Sequence, residues 1–202
     1  MDTSKENIAI LILAAGASSR MGRPKQLLPW ENTTLLGHSI RIANAARKGQ
    51  VTVVLGANAD FIKSNISMAE VNCAINPNWK SGLGSSLAFG IEYLTKMEDG
   101  YDGILIMLCD QPLMDAKFLN RLIDQFKSGK KGIIATQYAE RAGVPAIFHS
   151  KYFSELTGLN KDFGAKSLLD QHKNDVLELD PLGRAADVDI FEEYQRLVRE
   201  NL

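Results

Sequence analysis

Cysteine and histidine are scarce in this sequence of 202 residues, and their spacing matches neither a disulfide framework nor a zinc site. The two cysteines, Cys73 and Cys109, form no Cys-x-x-Cys pair, and no histidine lies close to Cys109 in the sequence. We therefore expect no catalytic thiolate. The three histidines, His38, His149 and His172, lie far apart and are interpreted as core or surface residues.

An excess of charge of either sign is also missing. The chain has 23 basic and 24 acidic residues, which gives a formal net charge of −1. Such a balance produces no overall attraction to nucleic acid or to an anionic membrane. An anion-binding site therefore has to arise from a local arrangement of residues.

Hydrophobic runs of membrane-spanning length are not seen either. The apolar run from Ile8 to Ala15 has eight residues and stops at Gly16, whereas a membrane-spanning helix needs about 20. The first residues are polar and lack the basic start of a signal peptide. The sequence therefore predicts a cytoplasmic protein with neither a membrane nor a nucleic-acid partner.

The composition is that of an ordinary globular protein, with 45% hydrophobic and 23% charged residues. We find no internal repeat and no linker rich in proline, glycine or serine. A chain of this length fits one hydrophobic core. The sequence therefore predicts a single domain over residues 1–202.

Strand and helix patterns alternate along most of the chain. Short apolar runs predict strands at Ile8–Leu13, Val51–Gly56, Val71–Ile75, Gly103–Leu108, Ile133–Gln137, Pro145–Phe148 and Val176–Leu179. Helical spacing predicts helices at Leu35–Arg47, Asp60–Ser67, Gly84–Lys96, Asp115–Phe126 with Asp115 as N-cap, Phe163–Gln171 and Ile190–Arg199. This alternation indicates an α/β fold, a three-layer sandwich with a mainly parallel, Rossmann-like sheet.

The loop after the first predicted strand has the features of an anion site. Gly16 and Gly22 let the backbone come close to a ligand, and Arg20, Arg23 and Lys25 add three cations. No acidic residue occurs between Asn7 and Trp30. The spacing fits neither a P-loop nor a dinucleotide fingerprint. The alternative interpretation is that this loop only connects two elements and that its cations are solvated.

The string from Leu13 to Leu28 reads Leu-Ala-Ala-Gly-x-Ser-x-Arg-Met-Gly-x-x-Lys-Gln-Leu-Leu. It resembles the signature of the MobA-like NTP transferases and, within that family, is most similar to the molybdenum cofactor cytidylyltransferases. The resemblance implies a fold of the nucleotide-diphospho-sugar transferase type and catalytic roles for Arg20 and Lys25. It also implies nucleotide contacts from Leu13, Ala14, Ala15, Gly16, Ser18, Arg20, Lys25, Ser81, Gly82, Ser85, Ser86 and Asp110.

Two carboxylates are candidate ligands for Mg²⁺, which prefers oxygen donors. Asp110 directly follows a predicted strand, within Cys109-Asp110-Gln111-Pro112, which resembles the metal-binding segment of the family. Asp189, in Asp187-Val188-Asp189, is similar to the second metal ligand of the family. For both segments a helix-capping or solvated role is the alternative.

Two segments resemble the acceptor side of the family but depart from its pattern. In the strand from Arg141 to Phe148, Val144 replaces the histidine of the family's Gly-His-Pro. The segment from Asp162 to Lys166 lacks a leading glycine and carries lysine in place of arginine. These departures leave the acceptor open.

The resemblance implies transfer of CMP from CTP to the molybdopterin cofactor, with release of pyrophosphate, and a molybdoenzyme apoprotein as a possible partner. Ala15 stands where the guanylyl branch typically has glycine, so we expect CTP to be preferred over GTP. The alternatives are a nucleotidyltransferase acting on a sugar or alditol phosphate, and a non-catalytic carrier or insertion factor for the molybdenum cofactor.

Overall fold

In the computed structural model, which describes residues 7–46, 50–97, 100–139, 141–159 and 164–202, a seven-stranded sheet forms the middle layer. The strands are β1 (Ile8–Ala14), β2 (Pro29–Trp30), β3 (Thr33–Thr34), β4 (Val51–Leu55), β5 (Asn72–Ile75), β6 (Gly103–Leu108), β7 (Ile133–Tyr138), β8 (Arg141–His149) and β9 (Val176–Leu179). The order in the sheet is β5-β4-β1-β6-β8-β7-β9. Only β8 runs antiparallel to its neighbours in this sheet, while β2 and β3 form a separate small hairpin.

Helices cover both faces of the sheet. They are α1 (Leu35–Ala45), α2 (Ala59–Asn65), α3 (Leu83–Met97), α4 (Ala116–Lys127), α5 (Phe153–Thr157), α6 (Lys166–Gln171) and α7 (Phe191–Asn201). The first, second and fourth helices pack in one apolar cluster, and the third, fifth and sixth pack in another. The predicted three-layer α/β fold is therefore confirmed.

The central strand β1 shows why the sheet is buried on both faces. Ile10 and Ile12 belong to the apolar cluster on one face, whereas Leu11 and Leu13 belong to the cluster on the other. Successive side chains of a strand point to opposite faces, so a continuous apolar run fits this position. Complete burial of each such side chain contributes about 1.5–3 kcal/mol.

Helix α4 begins where the sequence predicts. The carboxylate of Asp115 accepts a hydrogen bond from the N–H of Phe118 at 2.7 Å, so the predicted N-cap is confirmed. The apolar residues of the helix then recur at helical spacing and are buried against the sheet. Together the cap and this apolar face determine the position of the chain just after Asp110.

The seven predicted strands and six predicted helices occur. The strands at Gly103–Leu108 and Val176–Leu179 have the predicted bounds, and the other elements are shifted at one or both ends. The strand predicted at Pro145–Phe148 extends over Arg141–His149. Helix α6 begins at Lys166 rather than at Phe163, and Asp162 and Phe163 lie outside the described residues. Helix α1 ends at Ala45, and Arg47 also lies outside them. The predicted regions of strand and helix are thus correct, while most of their boundaries differ from the prediction at one end or both.

The sequence reading missed the β2–β3 hairpin and helix α5. The two strands of the hairpin have two residues each and α5 has five. Elements this short contain too few residues to show a period of 2.0 or 3.6. The position of the hairpin depends on packing instead: Trp30 and Leu28 join a small apolar cluster with Leu197 of α7.

Within the described part of the chain, no helix has the length and apolar character needed to cross a membrane.

Candidate functional site

The candidate site lies at the carboxyl ends of β1 and β6. These adjacent parallel strands end at Ala14 and Leu108, so the loop after β1 and the segment containing Asp110 meet at one edge of the sheet. The segment before α7 crosses the same edge, because the N–H of Val188 donates to the carbonyl of Asp110 at 2.9 Å. Crevices at this edge of open α/β sheets are where ligands bind.

The loop after β1 folds back on itself through two left-handed residues. Ser18 has a φ of 54° and Gly22 a φ of 65°. Positive φ is uncommon for a residue other than glycine. The Ser18 hydroxyl accepts a hydrogen bond from the N–H of Lys25 at 3.0 Å, which closes the loop and turns Lys25 toward Asp110. Ser18, predicted to bind nucleotide, thus shapes the loop.

Lys25 connects the two predicted metal ligands. Its Nζ lies 2.5 Å from Oδ2 of Asp110 and 3.6 Å from Oδ1 of Asp189, and it donates to the carbonyl of Val188 at 3.1 Å. Burial alone would lower the pKa of the Lys25 ammonium, but the neighbouring Asp110 carboxylate outweighs burial and raises this pKa above its usual value. The lysine is therefore a firmly charged group among carboxylates.

The oxygen atoms of this cluster suit a hard divalent cation. Oδ1 of Asp110 is buried and has no hydrogen-bond partner among the described residues. The Asp189 side chain is 51% exposed and lies near the same ammonium. The described residues contain no group of three or more histidine, cysteine or acidic side chains that could hold a metal. A cation here would therefore take its other ligands from phosphate and water, as Mg²⁺ commonly does.

A cavity of about 410 Å³ opens beside this cluster. The predicted residues that line it are Leu13, Ala14, Ala15, Gly16, Lys25, Gly82, Ser86, Asp110 and Asp189. Ala17, Gln26, Trp79, Lys80, Leu83, Leu108, Cys109 and Asp187 complete its lining. The structure therefore brings together the start of the β1 loop, the start of α3 and both candidate metal ligands.

Four predicted nucleotide-binding residues are not among the described residues that line this cavity, namely Ser18, Arg20, Ser81 and Ser85. Arg20 is exposed to solvent. The Ser85 hydroxyl donates to the carbonyl of Asn78 at 3.1 Å, so it holds the turn before α3. The Ser86 hydroxyl lines the cavity but accepts from Nδ2 of Asn76 at 3.1 Å.

A second cavity of about 310 Å³ adjoins the first. The two cavities share Leu13, Leu83, Leu108 and Asp187 as lining residues. The rest of the second cavity comes from Leu87, Ile106, Gln111, Tyr138, Arg141, Ala142, Gly143, Val144, Ala165, Lys166 and Leu169. It thus combines apolar side chains with two cations, a tyrosine and the carboxylate of Asp187.

Gln111 joins the elements at the boundary between the cavities. Its Nε2 lies within hydrogen-bond distance of Oδ1 of Asp187 at 2.9 Å, the Tyr138 hydroxyl at 2.7 Å and the Val144 carbonyl at 3.1 Å. Protein atoms that displace solvent around Asp187 raise its pKa, and the carboxylates of Asp110 and Asp189 act in the same direction. Gln111 and Tyr138 were missed as site residues, although Gln111 stands inside the motif that contains Asp110.

Three further residues singled out in the sequence, Arg23, Cys109 and His38, form no catalytic arrangement with the other described residues. The guanidinium of Arg23 sits 5.1 Å from the ring centroid of Phe191, so this loop cation contacts the last helix. Cys109 is buried, which raises the pKa of its thiol to about 12 and leaves it protonated. His38 is buried beside Arg41, which makes it a core residue, one of the two roles expected for the histidines.

Comparisons with known proteins identify the family of this chain. A family model described as the MobA-like NTP transferase domain matches residues 10–176. Nicotine blue oxidoreductase of Paenarthrobacter nicotinovorans is 29% identical over 98% of this chain and 99% of its own length. The purine catabolism protein PucB of Bacillus subtilis is 29% identical over 94% of this chain and 95% of its own.

Solved structures show the same relationship. The crystal structure of Rv0371c from Mycobacterium tuberculosis has a TM-score of 0.82 and 31% identity, covering 97% of this chain and 100% of that one. A manganese complex of Rv0371c has a TM-score of 0.78 and 30% identity over the same shares of the two chains.

Proposed function

The chain is a nucleotidyltransferase of the MobA-like NTP transferase family, and from that premise we propose that it transfers CMP from CTP to the molybdopterin cofactor. In this reaction an oxygen of the acceptor phosphate forms a bond to the α-phosphorus of CTP. The bond from that phosphorus to the bridging oxygen of the β-phosphate breaks, and pyrophosphate leaves. No protein nucleophile is required, because positioning and charge stabilisation provide the rate enhancement.

One observation carries this proposal: Lys25 and Asp110 meet beside the Gly16 loop, in a cavity that adjoins a second one. The backbone N–H groups of the loop would bind the phosphates, and Lys25 would neutralise charge that develops as pyrophosphate leaves. Arg20, on the exposed side of the loop, would contact the departing pyrophosphate. A reaction between two bound molecules needs two adjoining sites, whereas a carrier of one cofactor does not.

Asp110 and Asp189 would hold the divalent cation, which we propose to be Mg²⁺. When bound, Mg²⁺ supplies positive charge to the triphosphate. The unpartnered Oδ1 of Asp110 supports this assignment, because a buried carboxylate oxygen without a donor is otherwise unfavourable. The known manganese complex of Rv0371c is consistent with a divalent cation in this family.

The nucleotide would occupy the cavity that contains Ala15. Ala15 lines the cavity next to Gly16, and its methyl group would take space that a purine ring would need. We therefore expect CTP to be used in preference to GTP. If GTP were consumed several times faster than CTP with the same acceptor, the cytidylyl assignment would be wrong.

The acceptor would occupy the second cavity. Its apolar lining residues, which include Leu87 and Leu169, suit a planar ring system, and Arg141 and Lys166 suit an attached phosphate. These features favour molybdopterin over a sugar or alditol phosphate, which has little apolar surface. Delivery of the product to a molybdoenzyme apoprotein would be a separate step after the transfer.

The decisive experiment measures pyrophosphate release with each of the four NTPs in combination with molybdopterin, sugar phosphates and alditol phosphates. We expect release only with CTP and molybdopterin, and a product whose mass equals the acceptor plus CMP. Release with a sugar or alditol phosphate alone would change the acceptor class. Tight molybdopterin binding without pyrophosphate release from any NTP would favour the carrier or insertion factor.

A further inference from the structure

Gln26 lies directly beneath the loop after β1, in a short helical turn formed by Lys25–Leu27. This residue is 1% exposed, yet it lines the proposed nucleotide cavity. Its Nε2 donates to the carbonyl of Ala14 at 2.8 Å and to the carbonyl of Gly16 at 3.0 Å. A primary amide nitrogen has two hydrogens, so these two bonds use both and determine the orientation of the amide.

The carbonyl of Ala15, which lies between those of Ala14 and Gly16, is anchored as well. Ala15 accepts a hydrogen bond from the N–H of Ala57 at 3.0 Å. Three consecutive carbonyl groups of the loop are therefore anchored to the protein. In a trans peptide the C=O and the following N–H point in opposite directions. Anchoring the carbonyls of Ala14 and Gly16 thus turns the N–H groups of Ala15 and Ala17 away from Gln26.

Packing alone does not account for a glutamine at this position. Its Oε1 is buried and has no hydrogen-bond partner among the described residues. Burying an amide oxygen without a donor is unfavourable, and a methionine of similar length would fill the space without that cost. What glutamine supplies and methionine does not is a pair of donors aimed at the loop carbonyls.

We propose that Gln26 is a positioning residue that orients the N–H groups of Ala15 and Ala17 toward the phosphates of the nucleotide. This inference rests on the proposed function, since it assumes that a triphosphate occupies the first cavity. Gln26 does not touch the reacting atoms; it acts through the loop backbone. It should therefore affect the affinity for the phosphates and leave the affinity for the nucleoside unchanged.

The test compares wild type with Gln26→Met, which removes both donors, and Gln26→Glu, which places a carboxylate oxygen against the two loop carbonyls. Gln171→Met is the matched control, because Gln171 is exposed on α6 and lines neither cavity. Titration calorimetry or NMR would give the dissociation constants for CTP, pyrophosphate and cytidine. Circular dichroism would compare the fold of the variants.

We expect Gln26→Met to weaken binding of CTP and of pyrophosphate by about tenfold to a hundredfold, the scale of misdirecting one or two hydrogen bonds to a charged group. Gln26→Glu should weaken it further, while cytidine binding stays within about twofold and Gln171→Met resembles wild type. Equal losses for CTP and cytidine, or no loss for either, would overturn the inference.

A measurement on wild type alone keeps the inference testable if the variants do not fold. Addition of pyrophosphate should shift the amide NMR signals of Ala15 and Ala17, and unshifted signals at saturating pyrophosphate would refute the orientation proposed for them. The proposed function has a separate outcome: it fails if wild type binds no NTP. If wild type binds CTP and Gln26→Met binds it equally well, only the role of Gln26 fails.

Discussion

At the scale of single residues, the ion pair between Lys25 and Asp110 controls the charge at the candidate site. Only 16% of the Lys25 side chain and 13% of the Asp110 side chain are exposed, so solvent screens the pair weakly. The ammonium contacts one oxygen of Asp110 and leaves the other without a partner among the described residues. In the proposed reaction, the same lysine would neutralise the carboxylates before a nucleotide binds and the phosphates afterwards.

Replacing Lys25 with alanine should lower turnover by about two orders of magnitude, the scale for loss of a preorganised charge-stabilising group. Binding of CTP should weaken only modestly, since the loop amides are still present. Loss of an interaction made mainly in the transition state lowers kcat, and kcat/KM falls with it. Single-turnover kinetics and CTP titration would separate the two effects.

Lys25→Arg is the informative companion to this variant. A broad, planar guanidinium does not replace a compact ammonium, so rescue should be incomplete. If Lys25→Ala lost CTP affinity at an unchanged catalytic rate, Lys25 would only bind the nucleotide. An unchanged rate and affinity would make it an ordinary surface lysine.

Asp110→Asn should reduce the rate of pyrophosphate release by about 100-fold or more at matched Mg²⁺ concentration. The amide keeps the size of the side chain but removes the charge that would hold the cation. Asp189→Asn should act similarly, and Asp187→Asn should act less. Asp60→Asn, at an exposed position in the first turn of α2, is the control. Near-normal turnover in Asp110→Asn would exclude Asp110 from the metal site.

At the scale of elements, Asp175 connects the strands at the end of the sheet opposite to the site. It accepts hydrogen bonds from the N–H of Gly132 at 3.0 Å and the hydroxyl of Tyr152 at 2.5 Å, and pairs with Nζ of Lys151 at 2.7 Å. Burial alone would raise the pKa of Asp175, but the hydrogen bonds from Lys151 and Tyr152 outweigh it and lower this pKa far below its usual value. The carboxylate therefore ties the start of β7 to the start of β9.

Asp175→Asn should lower the free energy of unfolding at pH 7 by about 1–2 kcal/mol, because the amide keeps only part of these bonds. A carboxyl group whose pKa is lowered by folding stabilises the protein above its unfolded pKa, and this contribution is lost as pH falls. The difference between wild type and variant should therefore shrink below about pH 4. Urea unfolding at several pH values would measure it, and a difference that grew on acidification would contradict the role given to Asp175.

At the scale of the whole molecule, we propose that residues 1–202 act as one nucleotidyltransferase domain. The two larger apolar clusters, one on each face, pack on the same sheet, and residues of β1 belong to each of them. The loop after β1 and the acidic segment at Asp110 follow adjacent strands of that sheet. Loss of the sheet would therefore remove the core and the site together.

Urea unfolding should accordingly show one cooperative transition, with coincident signals from tryptophan fluorescence and circular dichroism. CTP with Mg²⁺ should raise the free energy of unfolding by about 2.7 kcal/mol at 100 times its dissociation constant, because it binds only the folded state. Two separate transitions, only one of them moved by CTP, would contradict a single domain.

Local patterns in the sequence predicted most elements of the fold and two of the segments that meet at the candidate site. A buried parallel strand reads as a continuous apolar run, and residues just after such strands gather at one edge of the sheet. That reasoning brought the loop at Gly16 together with Asp110, which line one cavity in the structure. It also located the N-cap of α4 at Asp115. These features depend on neighbours a few residues apart, so a single sequence is sufficient to predict them.

The tertiary structure alone decided which way the side chains of the site point. Lys25 and Asp110 are 85 positions apart in the sequence, and Gln111 and Asp187 are 76 apart, so no local period relates their atoms. The loop signature contains Ser18, Gln26 and Lys25 alike, yet Ser18 closes the loop, Gln26 anchors its carbonyls and Lys25 reaches the carboxylates. Such roles depend on the packing of several distant segments against one another, because a hydrogen bond forms only when both partners are held at the right distance and angle.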